Sequence, residues 1–253
     1  MDLQLKGKTA LITGGSKGIG LEIALTLAAE GCNIGLCARH KNEVEAAAAK
    51  VAEKGVKVVG EVVDITDDKS LEAWFAKCAD QLGGIDIFVA NASAGGADVS
   101  ENGWRQNFET DVLATWRAVN GLLPYLEKSS APSIVMISST AALEKFAGAV
   151  PFGAMKAAML NYAGNLAHDL APKGIRVNSV SPGPVFIEGG AWDQIKAAMP
   201  EVYESVLAAI PIGRMGTAAD VATQVALLAS PLSGYTTGAN IVMDGCYTQR
   251  LNY

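Results

Sequence analysis

Between Thr13 and Gly20 the chain reads TGGSKGIG. The short apolar run Ala10–Thr13, of strand length, leads into it. An amphipathic run comes next, with Ile19, Ile23, Leu27 and Ala28 at helical spacing, closed by Gly31. Strand, glycine-dense turn and helix in that order can hold a phosphate. Glycines let the backbone approach the ligand, and a helix N-terminus offers unpaired N–H groups and the positive end of its dipole. Gly14, Gly18 and Gly20 are spaced Gly-x-x-x-Gly-x-Gly, not Gly-x-Gly-x-x-Gly as in the common dinucleotide fingerprint. A purely structural turn in a glycine-rich chain competes with this account, but the flanking strand and helix weigh against it.

Composition excludes other chemistries. The chain has 253 residues, half of them apolar, and fits one α/β domain with a full core. No apolar run approaches the ~20 residues of a membrane span, and MDLQLKGK at the N-terminus lacks a signal-peptide core. The formal charge is −6 with no basic patch, so nucleic acid is not an expected partner. Cys32, Cys37, Cys78 and Cys246 are widely spaced, as ordinary thiols of a cytoplasmic protein would be. With only His40 and His168, neither a histidine-based triad nor a metal site is expected.

Strand-like and helical patterns alternate throughout. Strands are predicted at Asn33–Ala38, Val56–Val63, Ile85–Ala90, Ser133–Ser138, Ile175–Ser181 and Ala239–Met243, besides the first. Helices are predicted at Asn42–Lys54, from a cap at Asp67 or Asp68 to Gln81, at Glu101–Glu127 with a possible break near Gly103, at Val150–Ala171 and at Ala218–Leu228. A loop with short helices fills 182–216. The alternation implies one seven-stranded parallel sheet with helices on both faces, spanning 1–253. Ligands bind such sheets beyond the carboxyl ends of the strands. That edge gathers Gly14–Gly20, Arg39, Asp64, Asn91–Gly96, Ser138–Ser139 and Pro182–Trp192.

Over nearly its whole length the chain resembles the short-chain dehydrogenase/reductase family. The resemblance rests on TGGSKGIG, Asp64, Asn91-Ala92, Ser138-Ser139, Lys156, SPGPV at Ser181–Val185, IPIGRMGTAADVA at Ile210–Ala222 and TGANIVMDG at Thr237–Gly245. It implies a doubly wound (Rossmann) fold, a nicotinamide cofactor and hydride transfer to or from a carbonyl or alcohol carbon. Implied cofactor contacts are Thr13, Gly14, Ser16, Lys17, Gly18, Ile19, Gly20, Arg39, Asp64, Ile65, Asn91, Lys156, Pro182, Gly183 and Val185. An acid after the second strand would bond a ribose 2′-OH and repel a 2′-phosphate. That strand instead ends Leu36-Cys37-Ala38-Arg39. Arg39 and Lys17 can clasp a phosphate, so NADP(H) is the expected cofactor.

The expected catalytic set departs from the family pattern. Ser139 and Lys156 stand at their places, but Phe152 occupies the position of the acid/base tyrosine. Spacing i,i+4 puts Phe152 and Lys156 on one helical face. Phenylalanine fills the space without a proton to give. In the family the serine polarises the substrate oxygen, and the lysine holds the nicotinamide ribose. Asp111 aligns with an asparagine that supports a proton-relay water; it could hold such a water or be plain helix surface. FIEGGAW at Phe186–Trp192 falls where the family has its substrate lid, and Phe186 and Trp192 would favour an apolar or ring-bearing substrate.

Two functions compete: an NADP(H)-dependent oxidoreductase impaired by Phe152, and a catalytically silent NADP(H)-binding sensor or partner protein. A lyase, isomerase or dehalogenase on the same frame has no positive signature. Along Val150–Ala171, Met155, Met159, Tyr162, Ala163, Leu166 and Leu170 recur at helical spacing, with small residues on the remaining positions. Such a helix must bury more than one face, so a homotetramer, or at least a dimer, is expected.

Overall fold

The computed structural model describes residues 1–96, 98–145 and 148–250, so the span 1–253 runs past the described residues at its end. Strands β1 (Thr9–Thr13), β2 (Asn33–Ala38), β3 (Val58–Val62), β4 (Ile87–Ala90), β5 (Ser133–Ile137), β6 (Arg176–Pro182) and β7 (Asn240–Met243) form one parallel sheet. Its order is β3-β2-β1-β4-β5-β6-β7. The order reverses between β1 and β4, which opens a crevice at their carboxyl ends.

Both faces of the sheet are covered, so β1 and β5 are buried at every residue. Side chains alternate between two cores. Ala10, Ile12, Ile34 and Leu36 pack with helices α1 (Gly18–Ala29), α2 (Lys41–Ala52) and the helix Ala218–Ala229. Leu11, Cys37, Phe88 and Ile134 pack on the other side. Their partners there are α3 (Asp68–Leu82), α5 (Ala114–Leu126), which follows α4 (Glu101–Asn107), and α6 (Pro151–Leu170). Asp67 caps α3 by accepting from the Lys69 N–H, and Pro151 opens α6, where its missing N–H costs nothing.

The sequence placed a possible break near Gly103. The helix instead changes pitch at Phe108–Leu113, a π-helical segment between α4 and α5, while Gly103 stays inside α4. Beyond β6, the chain forms α7 (Ala191–Ala198) and α8 (Pro200–Ala208) before α9 (Ala218–Ala229). A satellite core of Tyr203, Ile210 and Met215 holds this region together.

Candidate active site

The glycine turn is shaped by backbone contacts. Gly14 has φ +66°, a conformation that favours glycine. A Cβ at Gly20 would run into the Gly14 carbonyl and the Asn91 side chain. Asn91 explains the crowding: its Nδ2 donates to the Thr13 and Gly14 carbonyls at 3.0 and 3.1 Å. The Thr13 hydroxyl accepts from the N–H groups of Asn91 and Ala92. Thr13 and Asn91 therefore clamp the turn to the end of β4. Lys17 gives α1 no side-chain cap, so the first N–H groups of that helix are left for a ligand.

A cavity of about 830 Å³ opens here, lined by Gly14, Ser16, Lys17, Arg39, Asp64, Ile65 and Asn91 among others. An uncapped helix end, a turn with no room for side chains and two cations fit a dinucleotide's phosphates and adenosine. Asp64 bonds the Thr66 N–H and hydroxyl through Oδ1, which fixes the wall beside Ile65. Glu43, unremarkable in the sequence as a first-turn acid of α2, lines the same cavity.

A second cavity, of about 490 Å³, lies beyond the ends of β5 and β6. Ser139 and Phe152 share its wall with Ile19, Gly183, Val185 and Trp192. Among the described residues no charged side chain lines it. Ser139 comes directly after β5 and its Oγ accepts from the Ala141 N–H at 3.1 Å, which aims the hydroxyl while keeping its proton for a ligand. Pro182 also reaches this wall. Phe186 does not line the cavity. It packs edge-on against Tyr203, with ring centroids 6.3 Å apart, under the Lys196 ammonium. The ring that the lid does present is Trp192, joined by Tyr247 from the C-terminal segment. Sequence spacing gave no signal for Tyr247, since the turn at Gly245 brings it in.

Lys156 and Asp111 lie behind this wall and line neither cavity. Lys156 Nζ is 3.0 Å from Asp111 Oδ1 and donates to the Ile137 carbonyl at 3.1 Å. The side chains are 5% and 0% exposed, so this is a buried ion pair and Asp111 is not helix surface. The Oδ1 contact is ionic rather than an aligned hydrogen bond. Oδ2 accepts from the Ala94 N–H at 2.9 Å, tying the loop after β4. The Ser138 hydroxyl donates to the Lys156 carbonyl, docking α6 on the end of β5. The Phe152 ring centroid is 5.7 Å from the ammonium. The Phe152 ring thus stands between the buried lysine–aspartate pair and the cavity whose wall it shares with Ser139.

Residues 14–248 match the family model described as enoyl-(acyl carrier protein) reductase. The isoepoxydon dehydrogenase of Penicillium expansum is 37% identical over 245 residues, 95% of each chain. The chain belongs to the short-chain dehydrogenase/reductase family. Members of this oxidoreductase family that it resembles in structure hold different cofactors. L-sorbose reductase of Gluconobacter frateurii, complexed with NADPH and L-sorbose, superposes with TM-score 0.91 at 28% identity, covering 99% of this chain and 100% of that one. An NAD+-bound xylitol dehydrogenase superposes with TM-score 0.87 at 27% identity, covering 94% of this chain and 98% of the other. Both sides of the cofactor choice are thus represented on this fold.

Proposed function

We propose that the protein is an NADP(H)-dependent oxidoreductase acting between the nicotinamide and a carbonyl or secondary-alcohol carbon, slowed by Phe152. The observation that carries the proposal is the shared wall of the apolar cavity: Ser139 is poised there, with a phenyl ring in place of an acid. When bound, the dinucleotide supplies or accepts the hydride. The glycine turn, with Gly18 and Ile19 at the start of α1, would hold its pyrophosphate. Arg39 and Lys17 would hold the 2′-phosphate, while Asp64, Ile65 and Asn91 flank the adenine side. Pro182, Gly183 and Val185 would wall the nicotinamide. Ser139 donates to the substrate oxygen, and Trp192, Ile187 and Ile195 exclude water around an uncharged, ring-bearing substrate. The relatives support this class: one is an isoepoxydon dehydrogenase, another a reductase complexed with NADPH and L-sorbose.

No side chain at position 152 can pass a proton. Lys156, paired with Asp111, could hold a relay water only by turning toward the cavity. General acid–base groups contribute ~10²–10⁴-fold, about 3–5 kcal/mol of barrier. Single-turnover hydride transfer at saturating NADPH is therefore expected to rise by about that factor in Phe152→Tyr and to fall in Ser139→Ala. Ordinary enzyme rates in the unaltered chain, with no gain in Phe152→Tyr, would overturn the proton-donor assignment. The commitment of Lys156 to Asp111 and the Ile137 carbonyl favours one second reading, a silent NADP(H)-binding sensor. Tight NADPH binding without turnover in either form would select it.

We also propose a cytoplasmic homotetramer. Trp104, Phe108 and Trp116 are exposed on α4, the π segment and α5. Leu227, Leu232 and Tyr235 are exposed near the sheet edge at β7. Exposed apolar side chains of this size suit contact with a second copy. Light scattering at micromolar protein is expected to give a tetramer mass, and a monomer mass would reject it. No helix among the described residues is long and apolar enough to cross a membrane.

A further inference from the structure

At the polar cavity Lys17 already has a partner. Its ammonium lies 3.1 Å from Oε1 of Glu43, and the Ser16 hydroxyl donates to Oε2 at 3.2 Å. Glu43 occupies the first turn of α2, where the helix dipole favours an anion. The Lys17 bond holds its carboxyl below the usual range, with Ser16 assisting against partial desolvation. A carboxylate therefore stands at neutral pH in the cavity wall that also carries Arg39.

We infer that Glu43 is a specificity-determining residue that narrows the preference for a 2′-phosphorylated adenosine end over an unphosphorylated one. A 2′-phosphate reaching Lys17 must displace the carboxylate or share the cation with it, and the two anions repel. A ribose 2′-OH is neutral, meets no repulsion and can donate to a carboxylate. Lys17 and Glu43 side chains are 74% and 36% exposed, so solvent screens the effect and keeps it modest. The inference rests on the proposed placement of adenosine in this cavity, and it holds whichever cofactor the unaltered protein prefers.

The test is calorimetric titration of the full chain with adenosine 2′,5′-bisphosphate and AMP, and with NADPH and NADH. Unaltered protein, Glu43→Gln and Glu43→Lys are compared at low and high salt. Glu43→Gln is expected to raise the phosphorylated-to-unphosphorylated affinity ratio by about three- to tenfold. Glu43→Lys is expected to raise it further, with a steeper loss in salt. An unchanged or lower ratio in both variants, with both ligands still bound, overturns the role of Glu43 and leaves the cavity assignment standing. If none of the four ligands binds the unaltered chain, the assignment itself falls and the inference with it.

Discussion

Each cavity has a lysine–carboxylate pair beside it, one in the wall and one behind it, and the two pairs serve opposite ends. Lys17–Glu43 lies open to water at the polar cavity, whereas Lys156–Asp111 is sealed behind the apolar one. Water already solvates the first pair, so its charges can be exchanged for those of a ligand at little cost. The second has given up its hydration. Each ion there is tolerable only while the other remains. The polar cavity gets its shape from backbone instead, from the turn clamped by Thr13 and Asn91. One site is thus tuned by side chains on a fixed main chain, and the other depends on side chains for its integrity.

The widest separation between them is expected in stability. Asp111→Ala leaves a buried ammonium with only the Ile137 carbonyl, and should cost ~3–5 kcal/mol of unfolding free energy in urea titrations. Asp111→Leu with Lys156→Met should recover much of that loss, since no buried charge is stranded. A loss below about 1 kcal/mol in Asp111→Ala would show that the pair is wetter than its burial indicates. Next in size is Gly20→Ala, where the added methyl collides with the Gly14 carbonyl. About 1–3 kcal/mol of stability should go, together with dinucleotide binding, read by the same urea titrations and by nicotinamide fluorescence.

The smallest effect is expected at the open pair: Lys17→Met should change stability by under ~1 kcal/mol. Its pH dependence has a definite sign. The carboxyl of Glu43 titrates lower in the folded chain than unfolded. Its small contribution is therefore present above the ordinary glutamate range and lost as pH falls through the depressed folded value. Acid titration of Glu43→Gln beside the unaltered protein, below pH ~4.5, should show that difference shrinking.

Much of the fold was legible because a sheet buried on both faces writes its strands as apolar runs. The stretch Asn33–Ala38 forms β2 at its predicted bounds, and of the two cap candidates, Asp67 and Asp68, it is Asp67 that caps α3. Alternation implied the parallel sheet covered on both faces, and the family resemblance its doubly wound form. Convergence at the carboxyl edge put Lys17 with Arg39, while the family's catalytic pattern put Phe152 with Ser139, and each pair shares a cavity wall. Side-chain pairing was less visible. Glu43 looks like any first-turn acid, because a helix start favours carboxylates whether or not one faces a cavity. Asp111 looks amphipathic in sequence, since nothing in FETDVL marks a change of pitch. Phe186 leaves the cavity and Tyr247 enters it unannounced, because loop trajectories after Pro182 and Gly245 are set by tertiary packing.

The π segment at Phe108–Leu113 also sets a phase. An α-helix advances about 100° per residue, so one extra residue in a turn rotates the helical turns on one side of it relative to those on the other. Here the segment lets Asp111 face Lys156 while Ala118, Val119, Leu122 and Leu126 of α5 still face the sheet. Removing one residue from it to restore regular pitch would satisfy only one of these. Either the aspartate swings off its lysine, or the apolar stripe turns toward water. The segment works as a clutch between the buried ion pair and the core: each half of the helix can be selected for its own purpose without turning the other.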